Sequence, residues 1–299
     1  VLSEAPTRCG FAAIIGATNA GKSTLINQLA GYKVAIVSHK VQTTRARIRA
    51  IVVEGRSQII FVDTPGIFRP RRRLDEAMVE AAWSGALEAD VVMLVVDARA
   101  GITEDVEAIV KNLGEGKTPS VLVLNKIDLA KREALLEGAA RLNALHEFAE
   151  TFMVSALNGD GTNRLKGTLA LMMPEGPWLY PEDQIADVPM RLIAAEVTRE
   201  KIYERLHQEL PYQSTVETES WEERADGSVR IDQVIFVERE NQRKIVLGKG
   251  GQAIKEIGRR AREELEATLE RKVHLFLFVK VRENWASDPE RLRAMGLEP

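Results

Sequence analysis

The chain has 299 residues, 45% of them hydrophobic and 28% charged, with a formal net charge of −3. That length predicts two domains, each able to bury its own core, and the charge excludes a general polycation, so any contact with nucleic acid must come from local clustering. A single cysteine, Cys9, and four histidines exclude an intrachain disulfide and a zinc cluster, a usage that suits a reducing cytoplasm. The longest apolar runs, such as VVMLVV at 91–96, are too short to span a bilayer. The opening VLSEAPTRCG lacks the charged-then-apolar pattern of a secretory leader.

Taken in chain order, FAAIIG (11–16) reads as a buried strand and KSTLINQLAG as the helix after it. IRAIVVEGRSQIIFVDTPG (48–66) reads as two strands around a Glu54-Gly55 turn. The runs at 89–98, 120–128 and 151–157 read as further strands, with helical patterns at 73–88, 103–114 and 132–149 between them. Strands alternating with helices predict a mixed, mostly parallel sheet covered on both faces, an α/β domain. PEGPWLYPEDQIADVP (174–189) then places Pro174, Pro177, Pro181 and Pro189 in one short stretch. Proline fixes φ and removes a donor, so this segment reads as a linker. The predicted organisation is a first domain at 1–174, a Pro-rich linker at 175–188 and a second domain at 189–299.

The second domain opens with an amphipathic helix over 188–210, followed by a hairpin over 213–240 around Asp226-Gly227, a strong turn signal. Helix, glycine turn and helix occupy roughly 243–270, where Ile254, Ile257, Ala261, Leu265 and Leu269 recur at helical spacing. KVHLFLFVKVR (272–282) closes as a strand. The predicted order is α-β-β-α-α-β.

Two glycine-lysine turns need separate explanations. In the first, Gly16-x-x-x-x-Gly21-Lys22-Ser23 lies between a strand and a helix, the context of a phosphate-binding P-loop. Backbone N–H groups would converge on phosphate oxygens there, with Lys22 on the β and γ phosphates and Ser23 on Mg²⁺. Asn19, Ala20 and Thr24 belong to the same turn. Asp63, Thr64, Pro65 and Gly66 follow an apolar strand; Asp63 suits Mg²⁺ and the Gly66 N–H suits the γ-phosphate. Asn125, Lys126 and Asp128 follow the next strand but one, and the Asp128 carboxylate can accept from both N1–H and N2–H₂ of guanine, a donor pair adenine lacks. Ser155, Ala156 and Leu157 close the last strand, where the Ala156 N–H could meet guanine O6. Each motif alone has a structural explanation, as a helix cap or turn former. Four in order, each at a strand end where open α/β sheets bind ligands, predict a GTP site.

This set, with QTTR at 42–45, resembles the translation-factor-related GTPases and, within them, the Era-type GTPases with a C-terminal type II KH domain. The resemblance covers nearly the whole chain. It departs at Thr18, where the family usually has proline, which predicts a slightly less rigid loop. The resemblance implies that a switch threonine completes the Mg²⁺ shell; spacing does not choose between Thr43 and Thr44, and Thr44 is preferred. Relatives with asparagine at the position of Asn19 hold K⁺ beside the phosphates, so the resemblance implies a K⁺ site there. Ras-like enzymes orient water with a glutamine after D-x-x-G; here Ile67 and Phe68 follow, which predicts slow hydrolysis driven by positioning and by charge from Mg²⁺ and Lys22.

The second turn, Gly248-Lys249-Gly250-Gly251, lacks the Ser or Thr of a phosphate loop. It resembles the G-x-x-G of KH domains, which clamps single-stranded nucleic acid. Residues 239–262 carry eight cations against two carboxylates, a net +6. From these, Arg243, Lys244, Gly248, Lys249, Gly250, Gly251, Lys255 and Arg259 are the expected RNA contacts. The resemblance implies binding to the 3′ end of 16S rRNA, a role in 30S subunit assembly, and weak inner-membrane association of a cytoplasmic monomer. A second reading, a membrane or cell-cycle switch with RNA secondary, predicts a basic or amphipathic anchor that the sequence lacks.

Overall fold

Two short apolar runs, at 91–96 and 121–124, set the centre of the first unit. Val91–Asp97 (β4) and Ser120–Asn125 (β5) are buried along almost their whole length, as strands covered on both faces must be. In the computed structural model, which describes residues 6–31, 48–63, 66–67, 79–80, 82–86, 88–114, 116–181, 190–206 and 214–283, they pair in parallel with each other. Around them stand Arg8–Ile15 (β1), Ile48–Glu54 (β2), Ser57–Asp63 (β3) and Glu150–Val154 (β6), in the sheet order β2-β3-β1-β4-β5-β6. Only β2 runs antiparallel, and it pairs with β3 across the turn at Gly55. The sheet is thus mixed and mostly parallel, as the alternation of strands and helices predicts.

Helices cover both faces. Lys22–Ala30 (α1) buries Leu25, Ile26 and Leu29. Glu104–Leu113 (α2) packs Val106, Ile109 and Val110 against Leu94, Val96, Leu122 and Leu124. Its N-terminus is well specified: the Thr103 hydroxyl accepts from Val106 N–H, and Glu104, Asp105 and Glu107 meet the positive end of the helix. Arg132–Leu145 (α3) buries Leu135 and Leu142. Thr162–Met172 (α4) buries Leu165 and Leu169 and has no counterpart among the predicted elements. Of the helix expected over 73–88, residues 79–80 and 82–86 are described and are helical.

The expected linker does not begin as a free tether. Gly176 N–H donates to Thr7 O, and Cys9 N–H donates to Pro174 O. Arg8 pairs with Glu175 at 3.1 Å, and Trp178 Nε1 donates to Arg56 O. Gln58 is fully buried beside the apolar run 59–62 of β3. Its Oε1 accepts from the N–H groups of Leu179 and Tyr180, and its Nε2 donates to Tyr180 O. The amide thus acts as a strand mimic that fastens residues 179–180 to the first unit. Proline removes few of these bonds because the anchoring donors belong to Gly176, Leu179 and Tyr180.

The chain divides into two compact units. The second holds Met190–Arg205 (α5), Ser214–Glu223 (β7), Val229–Val237 (β8), Glu240–Leu247 (α6), Gln252–Leu269 (α7) and Val273–Val281 (β9), in the predicted order. Its sheet order is β7-β8-β9, with β7 and β8 antiparallel and β8 and β9 parallel. Ile257, Val246, Ile235 and Ile202 form one part of its core, and Ala261, Leu265, Ile231 and Val273 another.

Helix α5 departs from a simple amphipathic reading. Its run Thr198-Arg199-Glu200-Lys201 is buried. Burial alone would lower the Lys201 pKa, but Glu264 and Glu200 together outweigh it and hold the ammonium charged. Arg199 forks onto Glu196, and Thr198 donates to Gln233 at 2.6 Å. Polar residues sit inside here because each finds a partner. No described helix is long and apolar enough to cross a membrane.

Candidate functional site

The carboxyl ends of β1, β3, β4 and β5 bring the first glycine turn and its companions together. The turn leaves β1 at Gly16 and enters α1 at Lys22. Two of its glycines are required by space. A Cβ on Gly16 (φ 152) would lie 2.3 Å from Val95 O, and one on Gly21 (φ 91) would lie 2.3 Å from Asn125 Nδ2. The turn therefore hugs β4 and β5, with its backbone free to face outward. Ala20 is buried, and Thr24 is half-buried on α1. Asn19 is exposed in the left-handed region at φ 61, with its carbonyl accepting from Lys126.

Lys22 is folded back. Its Nζ donates to Gly16 O at 3.0 Å and Ala17 O at 2.9 Å. Burial lowers its pKa to about 8, and Asp63 offsets part of that. Gly66 lies against it: a Cβ there would be 3.3 Å from Lys22 Nζ and 3.0 Å from the Thr18 methyl. Ser23 Oγ lies 3.3 Å from Asp63 Oδ2, and both residues are buried. A hydroxyl at the start of α1 and a carboxylate at the end of β3 form a hard oxygen pair, the donor set Mg²⁺ takes alongside phosphates. Ile67 donates its N–H to Gly16 O and is buried in the apolar core, away from any role in orienting water. Thr43, Thr44, Thr64, Pro65 and Phe68 lie outside the described residues.

The base end is tied by side chains. Asn125 is buried; its Nδ2 donates to Ala20 O at 3.0 Å and its Oδ1 accepts from Ala156 N–H at 3.0 Å. Asn125 therefore joins the phosphate turn to the Ser155–Leu157 loop. The Ala156 N–H, expected to meet guanine O6, donates to Asn125 in the protein alone, so O6 would share that donor. Ser155 Oγ donates to Asp128 Oδ1 at 2.6 Å and so orients the carboxylate. Asp128 is exposed rather than buried, so selectivity arises only as a base covers it. Leu157, 77% exposed, stands beside this loop.

Lys126 is itself left-handed, at φ 65, and its Nζ lies 2.6 Å from both Asn19 O and Asp97 Oδ2. The sequence reading passed over Asp97. The signal was present: it is the one carboxylate closing the apolar strand β4, as Asp63 closes β3.

In the second unit, α6 ends at Gly248 and α7 begins at Gln252. Gly248, Gly250 and Gly251 all have positive φ. Lys244, Lys249 and Lys255 are exposed and form no ion pair with a described residue. The net +6 is thinner than it reads, however. Arg259 forks onto Glu256 and Glu263, Arg243 pairs with Glu240, and Arg260 reaches Glu204 on α5. Arg259 and Arg243 are thus less available to phosphate than expected. The window 239–262 stops one residue short of Glu263 and cannot register a partner on another helix.

Residues 11–126 match the profile of the 50S ribosome-binding GTPase family, and residues 209–286 match that of the KH domain. The chain is 66% identical to GTPase Era of Afipia carboxidovorans, over 98% of this chain and 95% of that one. It is 64% identical to GTPase Era of Rhizobium meliloti, over 98% and 94%. A crystal structure of Aquifex aeolicus Era, a point variant bound to GDP and aluminium fluoride, superposes with a TM-score of 0.92 at 40% identity, covering 97% of this chain and 99% of that one. Era in complex with MgGDPNP and nucleotides 1506–1542 of 16S ribosomal RNA matches with the same TM-score, identity and coverage. With a P-loop GTPase unit followed by a KH unit, and relatives this similar over nearly its full length, the chain belongs to the Era family of GTPases.

Proposed function

We propose that this protein binds GTP with Mg²⁺ at the first glycine turn, hydrolyses it slowly, and uses the second glycine turn to hold the 3′ end of 16S rRNA during assembly of the 30S subunit. The observation that supports this most is the difference between the two turns. The first sits at strand ends beside Lys22, the Ser23–Asp63 oxygen pair and the Ser155-braced carboxylate of Asp128. The second has left-handed glycines and exposed lysines with no ion pair to a described residue, beside the start of an 18-residue helix. One suits a compact polyphosphate and base; the other suits a backbone lying across it.

The residues divide the work. Backbone N–H groups of the turn and Lys22 neutralise phosphate charge, and Ser23 and Asp63 would hold Mg²⁺, which supplies further charge stabilisation at the phosphates. With Ile67 buried where a water-orienting side chain would stand, hydrolysis relies on positioning and charge, so the bound state is long-lived. A slow enzyme of this kind serves as a timed switch.

Two expectations test these assignments. Polyphosphate beside Lys22 favours its charged form, whereas in the protein alone its pKa is about 8. Binding above that pH takes up a proton. GDP affinity should therefore stay flat below about pH 8 and fall by up to about tenfold per pH unit above it. Titration calorimetry over that range checks this, and Lys22→Met should flatten the slope. For the whole reading, the test is the affinity for an RNA copying nucleotides 1506–1542, in the GDPNP and GDP states at one fixed salt. Tighter binding with GDPNP is expected; no binding in either state would remove the RNA reading and leave the nucleotide site standing.

A further inference from the structure

We propose that Asp97 is a positioning residue for the bound nucleotide, acting through Lys126 on the phosphate turn. This rests on the reading that the turn takes a guanine nucleotide. The parallel register of β4 and β5 sets Asp97 beside Asn125, and so beside the lysine that follows it. Lys126 Nζ then spans 2.6 Å to Asp97 Oδ2 and 2.6 Å to the carbonyl of Asn19. Both Lys126 and Asn19 are left-handed, at φ 65 and φ 61. Lysine is disfavoured in this region and asparagine is tolerated there only as a single residue, so the contacts around them decide whether each backbone is kept. One ammonium group holds both.

The geometry of Asp97 suits this task. Its Oδ1 accepts from the N–H groups of Arg99 and Ala100, at 2.9 and 3.2 Å, which fixes the carboxylate and aims Oδ2 at Lys126. The pair is shielded, with side-chain exposures of 14% for Asp97 and 27% for Lys126. Burial alone would raise the Asp97 pKa. The hydrogen bond and charge of Lys126, with the Ala100 and Arg99 N–H groups, outweigh it and hold the carboxyl below the ordinary value. The anion therefore persists at neutral pH. The lysine stem passes over the phosphate turn as well: its Cε would be 3.6 Å from a Cβ on Gly21. A flexible ammonium with three rotatable donors takes one direction only if something fixes it. Asp97 fixes it on one side, and Lys126 passes that order to the turn whose N–H groups face the phosphates. Choice of base belongs elsewhere, to the Ser155–Asp128 pair.

Asp97→Asn separates this role from simple turn-capping. The amide keeps an acceptor for Arg99 and Ala100 but removes the anion facing Lys126. GDP should leave about tenfold faster, and the fall in kcat/KM for GTP should be carried by KM, with preference for guanine over hypoxanthine as in the parent. On a Lys126→Met background, adding Asp97→Asn should change GDP release by less than about twofold. GDP release within about twofold of the parent for Asp97→Asn alone would overturn the proposal, as would a full effect on the Lys126→Met background. If Lys126→Met does not fold, Asp97→Asn decides alone. Failure of the parent to bind GDP would instead overturn the nucleotide reading.

Discussion

Asp128→Asn should weaken GDP and GTP binding by about a hundredfold, about 3 kcal/mol, and turn the site toward xanthine nucleotides. The guanine edge offers two donors, N1–H and N2–H₂, and a carboxylate can accept both with charge-assisted bonds. Ser155 Oγ already holds one oxygen of Asp128 at 2.6 Å. In the variant the amide oxygen keeps that bond, so the NH₂ faces the base. Donor then meets donor, and the buried groups go unpaired. Xanthine carries a carbonyl at C2, which accepts from that NH₂. Competition of GDP and XDP against a fluorescent nucleotide measures both changes. Unchanged GDP affinity with no gain for XDP would show that this carboxylate does not read the base.

The two glycines of the second turn should respond very differently to alanine. Gly248 has φ 72 and ψ 175, a region open essentially to glycine alone. A Cβ there would also lie 2.7 Å from Ala253 Cβ and 2.9 Å from Ala253 N. Alanine must push the turn away from the first turn of α7, where N–H groups face an approaching backbone. Gly250 has φ 62 and ψ 21, and a Cβ there meets nothing within 4 Å. Its only cost is the left-handed strain of about 1 kcal/mol. Gly248→Ala should therefore weaken RNA binding by about thirtyfold or more, and Gly250→Ala by about fivefold at most. Fluorescence anisotropy at fixed salt gives the order. A larger loss for Gly250→Ala would mean that the RNA lies over the tip of the turn and not across its root.

What could be read in advance follows from how local each signal is. Gly16, Gly21, Lys22 and Ser23 lie within one turn, and Asp63 and Asp128 each follow their own apolar strand, so spacing alone carried them. Asp97 was equally near a strand end, but its partner Lys126 is 29 residues away. Only the β4–β5 register brings them together. Asn125 belongs to a legible motif, but its amide joins Ala20 to Ala156, a three-way contact no linear pattern contains. The prolines of 174–189 pointed to a linker, but Gln58, a polar residue in a buried strand, was the sign that something lay against β3. Arg259 looked like an RNA contact because its charge was counted without Glu263, one turn further along its own helix. Helix α4 was missed because its N-cap is Gly161, with no side-chain cap to mark the start, and Gly167 interrupts its middle.

The central claim is that one chain holds a nucleotide and an RNA at separate turns whose occupancies are linked. It is tested most directly by the affinity for GDPNP, measured with and without a saturating RNA copying nucleotides 1506–1542. Linkage requires the RNA to tighten GDPNP by the same factor by which GDPNP tightens RNA. RNA that displaces GDPNP, or leaves its affinity unchanged while binding tightly itself, would contradict the account.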